Sequence, residues 1–298
     1  MLIANPIYDT VFKYLMENLE IAKGMISTII DEDIEYLDFK AQESIKKKNE
    51  GHPRLVAYHL DFIARIRQKN GTYKTVLIEL QKTNIAYDIM RFRKYLGEEY
   101  RKEDEVIMLD GKILTDPLPI VTIYFLGFYL SKTLPAVIKV NRDYIDVLNG
   151  KQIKERNDFI ECLTHDSFII QIPALHLHLR NRLEYVLSIF MQENFIDTEH
   201  HLKDYAHQTE DALVKKILKR LEMAAADKEL HHQLEVEELA EREYRNAVKK
   251  TAQEFEAKIL EHQEVIREQE EALKEKDRAL NEQKQYYEEL LKKLGHTI

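Results

Sequence analysis

Glycine and proline are distributed unevenly along this chain of 298 residues. All six prolines and seven of the eight glycines lie at or before Pro173, and neither residue occurs again before Gly295. Because both residues interrupt long helices and mark the turns of mixed folds, their distribution predicts an α/β part followed by a helical part. The predicted divisions are an α/β domain, a helical connector and a coiled coil, over residues 1–195, 196–250 and 251–298.

The α/β part alternates between helical and strand-like patterns. Apolar residues at helical spacing predict a first helix over 5–30, with Asn5 as its cap and Pro6 in its first turn. The two continuously apolar runs, 119–130 and 167–175, are typical of buried strands. Other predicted strands cover 33–45, 54–67, 73–82 and 136–147, and other predicted helices cover 84–103 and 178–195. The element order begins α-β-β-β-α-β.

A repeat of seven residues runs through the last part of the chain. Apolar residues recur at this spacing at Ile259, Ile266, Leu273, Leu280, Tyr287 and Leu294. The partner positions are polar in the middle of the repeat, and they are Phe255, His262, Gln269, Lys276, Gln283 and Leu290. This pattern predicts an extended helix, from about residue 210 to 294, that joins two chains as a homodimeric coiled coil. The alternative is a long solvated helix that docks elsewhere.

Two neighbouring predicted strands each carry a carboxylate among apolar residues. Side chains alternate between the two faces of a strand, so Asp61 lies on the face opposite to Leu60 and Phe62. In the next strand, Glu79 and Gln81 share one face. The Asn-Gly sequence within 68–72 predicts an antiparallel hairpin. One face of this hairpin can be core, while the other brings Asp61, Glu79 and Gln81 together.

Two carboxylates held close together repel each other unless a cation lies between them. Hard divalent cations prefer oxygen ligands, and Mg²⁺ is typically held by one or two carboxylates together with phosphate oxygens of a substrate. The pair of acids therefore predicts a site for Mg²⁺ or Mn²⁺. The alternative is that both acids are ordinary polar residues of a solvated sheet face, paired with Arg65, Arg67 or lysines.

Four short motifs accompany this pair in a particular order. They are YDTVFKYL near the start, YHLDFIARI on the second strand, LIELQK on the third strand and MRFRKYLGEEY on the next helix. In order and spacing they resemble the PD-(D/E)XK nuclease superfamily, and more closely its Rpn branch of recombination-promoting nucleases and transposases. The resemblance covers residues 5–130 and extends loosely to about 195. It implies an α/β fold with a restriction-endonuclease-like αβββαβ core, a mixed sheet flanked by helices, followed here by a long helical or coiled-coil extension.

The resemblance also implies roles for individual residues. Asp61 and Glu79 match the metal-binding acids, and Asp9 matches the leading acid of the branch, as a further metal ligand. Gln81 stands where the wider superfamily has its catalytic lysine, although glutamine neither carries a charge nor titrates. Lys13 lies one helical turn after Asp9, so it could reach the site from the first helix. Alternatively, Asp9 is simply a favourable charge in the first helical turn.

The helix after the third strand is basic. Its predicted contacts to DNA phosphates are Arg91, Arg93, Lys94 and Tyr95. The alternative is a solvated helix face on which the cations pair with Glu98 and Glu99.

Together these features predict a metal-dependent DNA endonuclease that hydrolyses phosphodiester bonds in recombination, transposition or mobile-element biology. The alternative is a catalytically inactive nuclease-fold protein that binds DNA or another partner and assembles through its C-terminal coiled coil. A net charge of −9 argues against a general polyanion binder, although the Glu-rich C-terminal third could hold the excess acid. No apolar run reaches the roughly 18 residues of a membrane span, which predicts no membrane partner. The single cysteine, Cys162, fits a reducing, cytoplasmic setting.

Overall fold

The computed structural model of the chain describes residues 1–39, 58–67, 73–83, 89–101, 105–107, 113–115, 117–176, 178–196, 198, 200–293 and 295. The chain divides into two compact units, Met1–Leu239 and Ala240–Ile298. The strands are β1 (Leu2–Ala4), β2 (Asp33–Phe39), β3 (Tyr58–Arg67), β4 (Tyr73–Thr83), β5 (Glu105–Ile107), β6 (Ile113–Thr115), β7 (Ile120–Leu126), β8 (Val137–Val140), β9 (Tyr144–Asp146), β10 (Lys151–Ile153), β11 (His165–Gln171) and β12 (Leu202–Asp204). The helices are α1 (Asp9–Met16), α2 (Leu19–Ile30), α3 (Ile89–Glu99), α4 (Asp158–Leu163), α5 (Arg182–Ser188), α6 (Ala212–Ala226) and α7 (Lys228–Lys293). The predicted α/β class and the long C-terminal helix are confirmed.

A mixed sheet of six strands forms the centre of the first unit, in the order β2-β3-β4-β7-β11-β8. The strands β2, β3 and β4 are antiparallel neighbours, whereas β7 runs parallel to β4 and β11 runs parallel to β7. A parallel pair needs a crossover connection, and the connection from β4 to β7 includes α3. The continuously apolar runs therefore form adjacent parallel strands in the middle of the sheet, as their composition predicts.

The main hydrophobic core lies on one face of this sheet, which we call the first face. Alternate strand residues point into it, and they include Phe62, Ile78, Ile123, Phe125 and Ile170. The helices α1, α2, α5 and α6 contribute the opposing side chains to the same core. The Phe12 ring of α1, for example, packs edge-on against the Phe125 ring of β7 at a centroid distance of 5.3 Å. The second face of the sheet is partly covered by α3, through Phe92.

The predicted helix over 5–30 is in fact two helices. The chain leaves α1 after Met16, and α2 begins with Asn18 as its cap, because the Asn18 side chain accepts a hydrogen bond from the Ile21 amide. Asn5 is not the cap of α1, since Tyr8 occupies that position. The Asn5 side chain instead bonds Gln192 and the carbonyl of His200, which ties the start of the chain to a distant loop.

Several predicted strands and helices are shorter than expected. The run 119–130 is a strand only as far as Leu126, and 136–147 splits into β8 and β9. The split arises where the Arg142 guanidinium turns back to bind the carboxylates of Asp166 and Glu161, at 2.9 and 2.8 Å. The predicted hairpin turn at 68–72 and the predicted strand start at 54–57 lie outside the described residues.

The helix predicted over 178–195 covers only Arg182–Ser188. Asn181 begins it by accepting a hydrogen bond from the amide of Glu184. At the other end, the buried Lys203 amine donates to the carbonyls of Ile189 and Met191, at 2.6 and 2.7 Å. Those carbonyls have lost their helical partners, so the lysine satisfies groups that would otherwise be buried without a donor.

The first unit ends at Leu239 rather than near residue 195. The strand β12, which carries Lys203, pairs with β1 at the start of the chain. The helix α6 packs its apolar side into the main core. Gly24 of α2 lies against Leu213 of α6. A Cβ atom at position 24 would lie 2.6 Å from Cδ1 of Leu213, so the glycine allows the two helices to pack closely. Much of the predicted connector over 196–250 is therefore part of the folded core.

Burial lowers the pKa of the Lys203 ammonium group from 10.5 to about 8, against the opposing attraction of Glu193. Between these two values the unfolded chain binds the proton that the folded chain has lost, so stability rises with pH across the window. We expect the unfolding free energy of the parent to rise relative to that of Lys203→Met by up to about 3 kcal/mol between pH 8 and 10.5. Urea unfolding of both proteins across this range measures the difference, and a flat or falling difference would contradict the prediction.

The predicted continuous helix from about residue 210 is wrong at one point, Asp227. This residue has extended backbone angles, and its side chain accepts hydrogen bonds from the amides of Glu229 and Leu230, so it ends α6 and caps α7. From there α7 continues unbroken to Lys293. None of the helices in the described part of the chain is both long and apolar enough to cross a membrane.

Candidate functional site

Asp61 and Glu79 occupy directly paired positions on β3 and β4, two inner strands of the sheet. Their neighbours Phe62 and Ile78 are fully buried on the first face. Because successive residues of a strand alternate between faces, positions 61 and 79 belong to the second face. Directly paired antiparallel residues have Cα atoms about 4.5 to 5.5 Å apart, so the backbone brings the two acidic positions together.

Gln81 lies two residues after Glu79 and therefore on the same face of β4. The register pairs it with His59 of β3 on one side and with Tyr124 of β7 on the other. The three strand positions that the sequence singles out, 61, 79 and 81, thus share one face and two adjacent strands.

In the register of the sheet, two further strands place polar residues in line with this acidic pair. Glu79 lies beside Thr122 of β7, and Thr122 lies beside Ser167 of β11. We call these four positions, Asp61, Glu79, Thr122 and Ser167, the polar row. Thr122 is fully buried, and its hydroxyl oxygen is 2.8 Å from that of Ser167. The sequence pattern indicated neither hydroxyl as part of a site, because Thr122 lies within a continuously apolar run that predicts only a buried strand.

The helix α3 lies over the second face, beside the polar row. Phe92 of α3 packs against the Tyr124 ring of β7 at a centroid distance of 5.3 Å and against Leu126. At the end of the helix, the Tyr100 hydroxyl is 2.8 Å from Nδ1 of His165 in β11. Arg93 and Lys94 are exposed on α3. The predicted phosphate-binding residues Arg91 and Tyr95 lie on the same helix.

The helix α1 packs on the opposite side of the sheet. Its Phe12 is part of the main core, so Asp9 and Lys13 belong to an element of the first face. The backbone amides of Asp9 and Thr10 donate to the carboxylate of Glu237 in α7, at 2.6 and 2.9 Å. Lys13 is exposed. The polar row lies on the second face, so Lys13 and Asp9 would each have to reach it from the first face. A catalytic role for Lys13 and a metal-ligand role for Asp9 therefore stay predictions.

A charged network holds the N-terminal end of β11 beside the polar row. Arg142 bridges Glu161 and Asp166, and its side chain is only 14% exposed. Burial, reinforced by the positive charge of Arg142, lowers the pKa of His165, and burial raises the pKa of the Tyr100 hydroxyl. Both shifts favour neutral groups, so the Tyr100 hydroxyl can donate to Nδ1 of an uncharged His165. Sequence reasoning did not identify this pair, because its members lie far apart in the chain.

Oxygen ligands at the acidic pair have the chemistry that Mg²⁺ and Mn²⁺ prefer. The fit rests on the register of Asp61 and Glu79, which are cross-strand neighbours. Among the described residues, no cluster of three or more His, Cys, Asp or Glu side chains is placed to hold a metal ion.

Comparison of the chain with models of protein families, with curated proteins and with solved structures found no match in any of the three.

Proposed function

We propose that this protein is a divalent-metal-dependent DNA endonuclease of the PD-(D/E)XK type, related to the Rpn branch. The observation that carries the proposal is the direct pairing of Asp61 with Glu79 on two inner strands. Two like charges at paired positions repel each other, and a bound cation is the simplest arrangement that keeps both ionised. In this proposal Asp61 and Glu79 hold Mg²⁺ or Mn²⁺.

The order of elements supports the finer fold assignment. The helix α2 is followed by the antiparallel strands β2, β3 and β4, then by α3, by the separate two-stranded sheet of β5 and β6, and by β7, which runs parallel to β4. Apart from the inserted β5 and β6, this order agrees with the αβββαβ order that the resemblance implies, and the acidic pair lies on its second and third strands. The assignment therefore rests on topology and on the register of the acids together.

The chemistry divides between the metal and the chain. When bound, the metal would polarise a phosphate oxygen and lower the pKa of a coordinated water. Asp61 and Glu79 would supply its ligands from two strands that share one register. Gln81, on the same face, would orient the water or the phosphate through its amide, which donates and accepts hydrogen bonds but does not titrate. Because Gln81 cannot take up a proton, the proton of the attacking water would have to pass to solvent or to a basic group other than Gln81.

The exposed basic residues of α3 would hold the DNA backbone. Arg93 and Lys94 are adjacent and exposed on the helix that Phe92 anchors over the second face. Contacts to phosphates position a protein on DNA without reading much sequence, which suits an endonuclease of broad specificity.

We expect Arg93→Ala with Lys94→Ala to weaken DNA binding for all sequences alike. Each phosphate contact contributes about one to the slope of log affinity against log salt, so the double variant should reduce that slope by about two. Fluorescence anisotropy with labelled duplex DNA at several salt concentrations measures it. The matched control is Lys215→Ala with Lys219→Ala, two exposed lysines on α6, which packs on the first face. An equal loss of slope in the control would contradict a specific role for α3.

Two observations favour a second candidate function, in which the protein keeps the nuclease fold and binds DNA or another partner without cutting DNA. Gln81 cannot provide the positive charge of the superfamily's catalytic lysine. The heptad positions of α7 are exposed in the single chain, as expected of a helix that assembles two copies. In either case a homodimer and a role in recombination or transposition are part of the proposal, and the single cysteine supports a reducing, cytoplasmic setting.

The deciding experiment is nicking of supercoiled plasmid by the full-length protein, with Mg²⁺, with Mn²⁺ and with EDTA. Cleavage that depends on the metal supports the endonuclease. Tight DNA binding without cleavage in either metal supports the second candidate instead.

A further inference from the structure

The helix α7 carries two rows of residues that each repeat every seven positions along one side of the helix. The first, which we call the apolar row, consists of Ile259, Ile266, Leu273, Leu280 and Tyr287. The second, which we call the mixed row, lies three residues further along and consists of His262, Gln269, Lys276, Gln283 and Leu290. All members of the apolar row are between 54 and 64% exposed in the single chain. Because α7 is unbroken over this length, the two rows form one continuous surface, which we call the seam.

A second copy of the seam can bind in the same direction. In a parallel pair in register, each residue faces its own counterpart, so the apolar row forms apolar layers throughout. Gln269 and Gln283 then each face another glutamine. An amide both donates and accepts hydrogen bonds, so two facing glutamines can satisfy each other. Parallel pairing therefore sets like residues against like.

A second copy can also bind in the opposite direction, which sets the apolar row of one helix against the mixed row of the other. The register with the fullest overlap places Ile266 opposite Gln283 and Leu280 opposite Gln269. Each amide would then face an aliphatic side chain that offers no hydrogen bond, which is unfavourable for a buried polar group. The composition of the two rows therefore favours the parallel direction.

The charges at the centre of the seam also match a second copy. Lys276 of the mixed row is followed by Asp277, and both residues are exposed in the single chain. In a parallel pair the two lysines share one layer, and each Asp277 flanks that layer beside the lysine of the other copy. Two positive and two negative charges then lie together without a net charge. Such a polar layer lowers the stability of a coiled coil but specifies its register.

Resting on the homodimer of the proposed function, we propose that α7 binds a second copy of itself in parallel and in register, with Lys276 and Asp277 as a charged layer between two glutamine layers. The N-terminal ends of the two helices, where each chain leaves its α/β unit, then meet. The proposal adds a direction and a register to the homodimer.

The test is disulfide crosslinking of the full-length protein, with Cys162→Ser in every variant so that the native thiol does not compete. Ile259→Cys and Leu290→Cys are prepared separately, then oxidised alone and as a mixture combined under reducing conditions. A disulfide needs Cα atoms within about 7 Å of each other. The two positions are 31 residues apart on one helix, a length of about 46 Å. A parallel pair thus brings each cysteine to its own counterpart and keeps the two kinds apart.

We expect each variant to crosslink to itself and the mixture to yield no mixed disulfide. The matched control is Glu261→Cys, an exposed position two residues after Ile259 and outside both rows. Because pairing of the seam raises the local concentration of thiols that face each other, Ile259→Cys should crosslink at least about 10-fold more than this control under the same redox buffer.

Sedimentation of the parent separates failure of the inference from failure of the homodimer. If the parent is a dimer and disulfides form only in the mixture, the helices are antiparallel, and the proposed direction is overturned while the homodimer stands. If the parent is a dimer and neither variant crosslinks more than Glu261→Cys, the seam is not the contact and the inference is overturned as well. A parent that sediments as a monomer would overturn the homodimer and the inference with it.

Discussion

Asp61→Asn and Glu79→Gln should each reduce metal-dependent plasmid nicking by more than about 100-fold, because even the outer partners of a metal ligand account for 10- to 100-fold. The amide has nearly the shape of the carboxylate but no negative charge, so the substitution removes the attraction for a divalent cation. Both positions belong to the second face of the sheet, away from the main core around Phe62 and Ile78. We therefore expect both variants to remain folded, as circular dichroism can verify.

The matched control is Asp33→Asn, which makes the same chemical change at an exposed position of β2. Asp33 pairs in register with Arg67, at the far end of β3 from Asp61. It should cut like the parent. Cleavage by both acid variants at the parental rate, in preparations that share no contaminating nuclease, would show that the acidic pair does not hold the metal.

The second large effect concerns the assembly of α7. Ile266, Leu273 and Leu280 are 54, 61 and 64% exposed in the single chain, and they recur every seven residues along one side of the helix. A lone helix in water is marginally stable, and apolar residues in heptad spacing are satisfied by a second helix. The polar partner positions, such as Gln269 and Gln283, lower the stability of a coiled coil but can define its register.

If the proposed homodimer forms through these positions, Ile266→Lys together with Leu280→Lys should convert it into a monomer at micromolar concentration. Burying an aliphatic side chain contributes at least about 1.5 kcal/mol, and the dimer buries each of these two positions twice. The loss of about 6 kcal/mol corresponds to about a 10⁴-fold weaker dimer. Sedimentation equilibrium measures the change in mass.

Glu268→Lys with Glu282→Lys is the control for this pair. It introduces the same two lysines at the same spacing on α7, two residues further along, at exposed positions. This variant should remain a dimer. If the parent itself sediments as a monomer at micromolar concentration, the heptad positions serve a different partner and the homodimer proposal is wrong.

Local patterns in the sequence determined the faces of the strands, the central strands of the sheet and the long C-terminal helix. Alternation along the strands placed Asp61 opposite in face to Phe62, because the side-chain period of two is a property of every strand. The apolar runs became the central parallel strands β7 and β11, since a strand covered on both sides needs apolar residues throughout. The absence of glycine and proline between Pro173 and Gly295 agrees with the long helix α7, although capping side chains ended helices at points where neither breaker occurs.

Tertiary structure decided what local patterns could not. Asn18 and Asp227 divide helices because their side chains accept amide hydrogen bonds there, whereas the buried Asn5 side chain bonds Gln192 and the His200 carbonyl instead of capping α1. Lys203 looks like a surface residue, yet it is buried because the carbonyls at the end of α5 need its amine.

The pairing of Asp61 with Glu79 depended on register, because a shift of one residue would place the two acids on opposite faces. Thr122 joined them only through the long-range pairing of β4 with β7, a contact that leaves no trace in the local sequence of either strand.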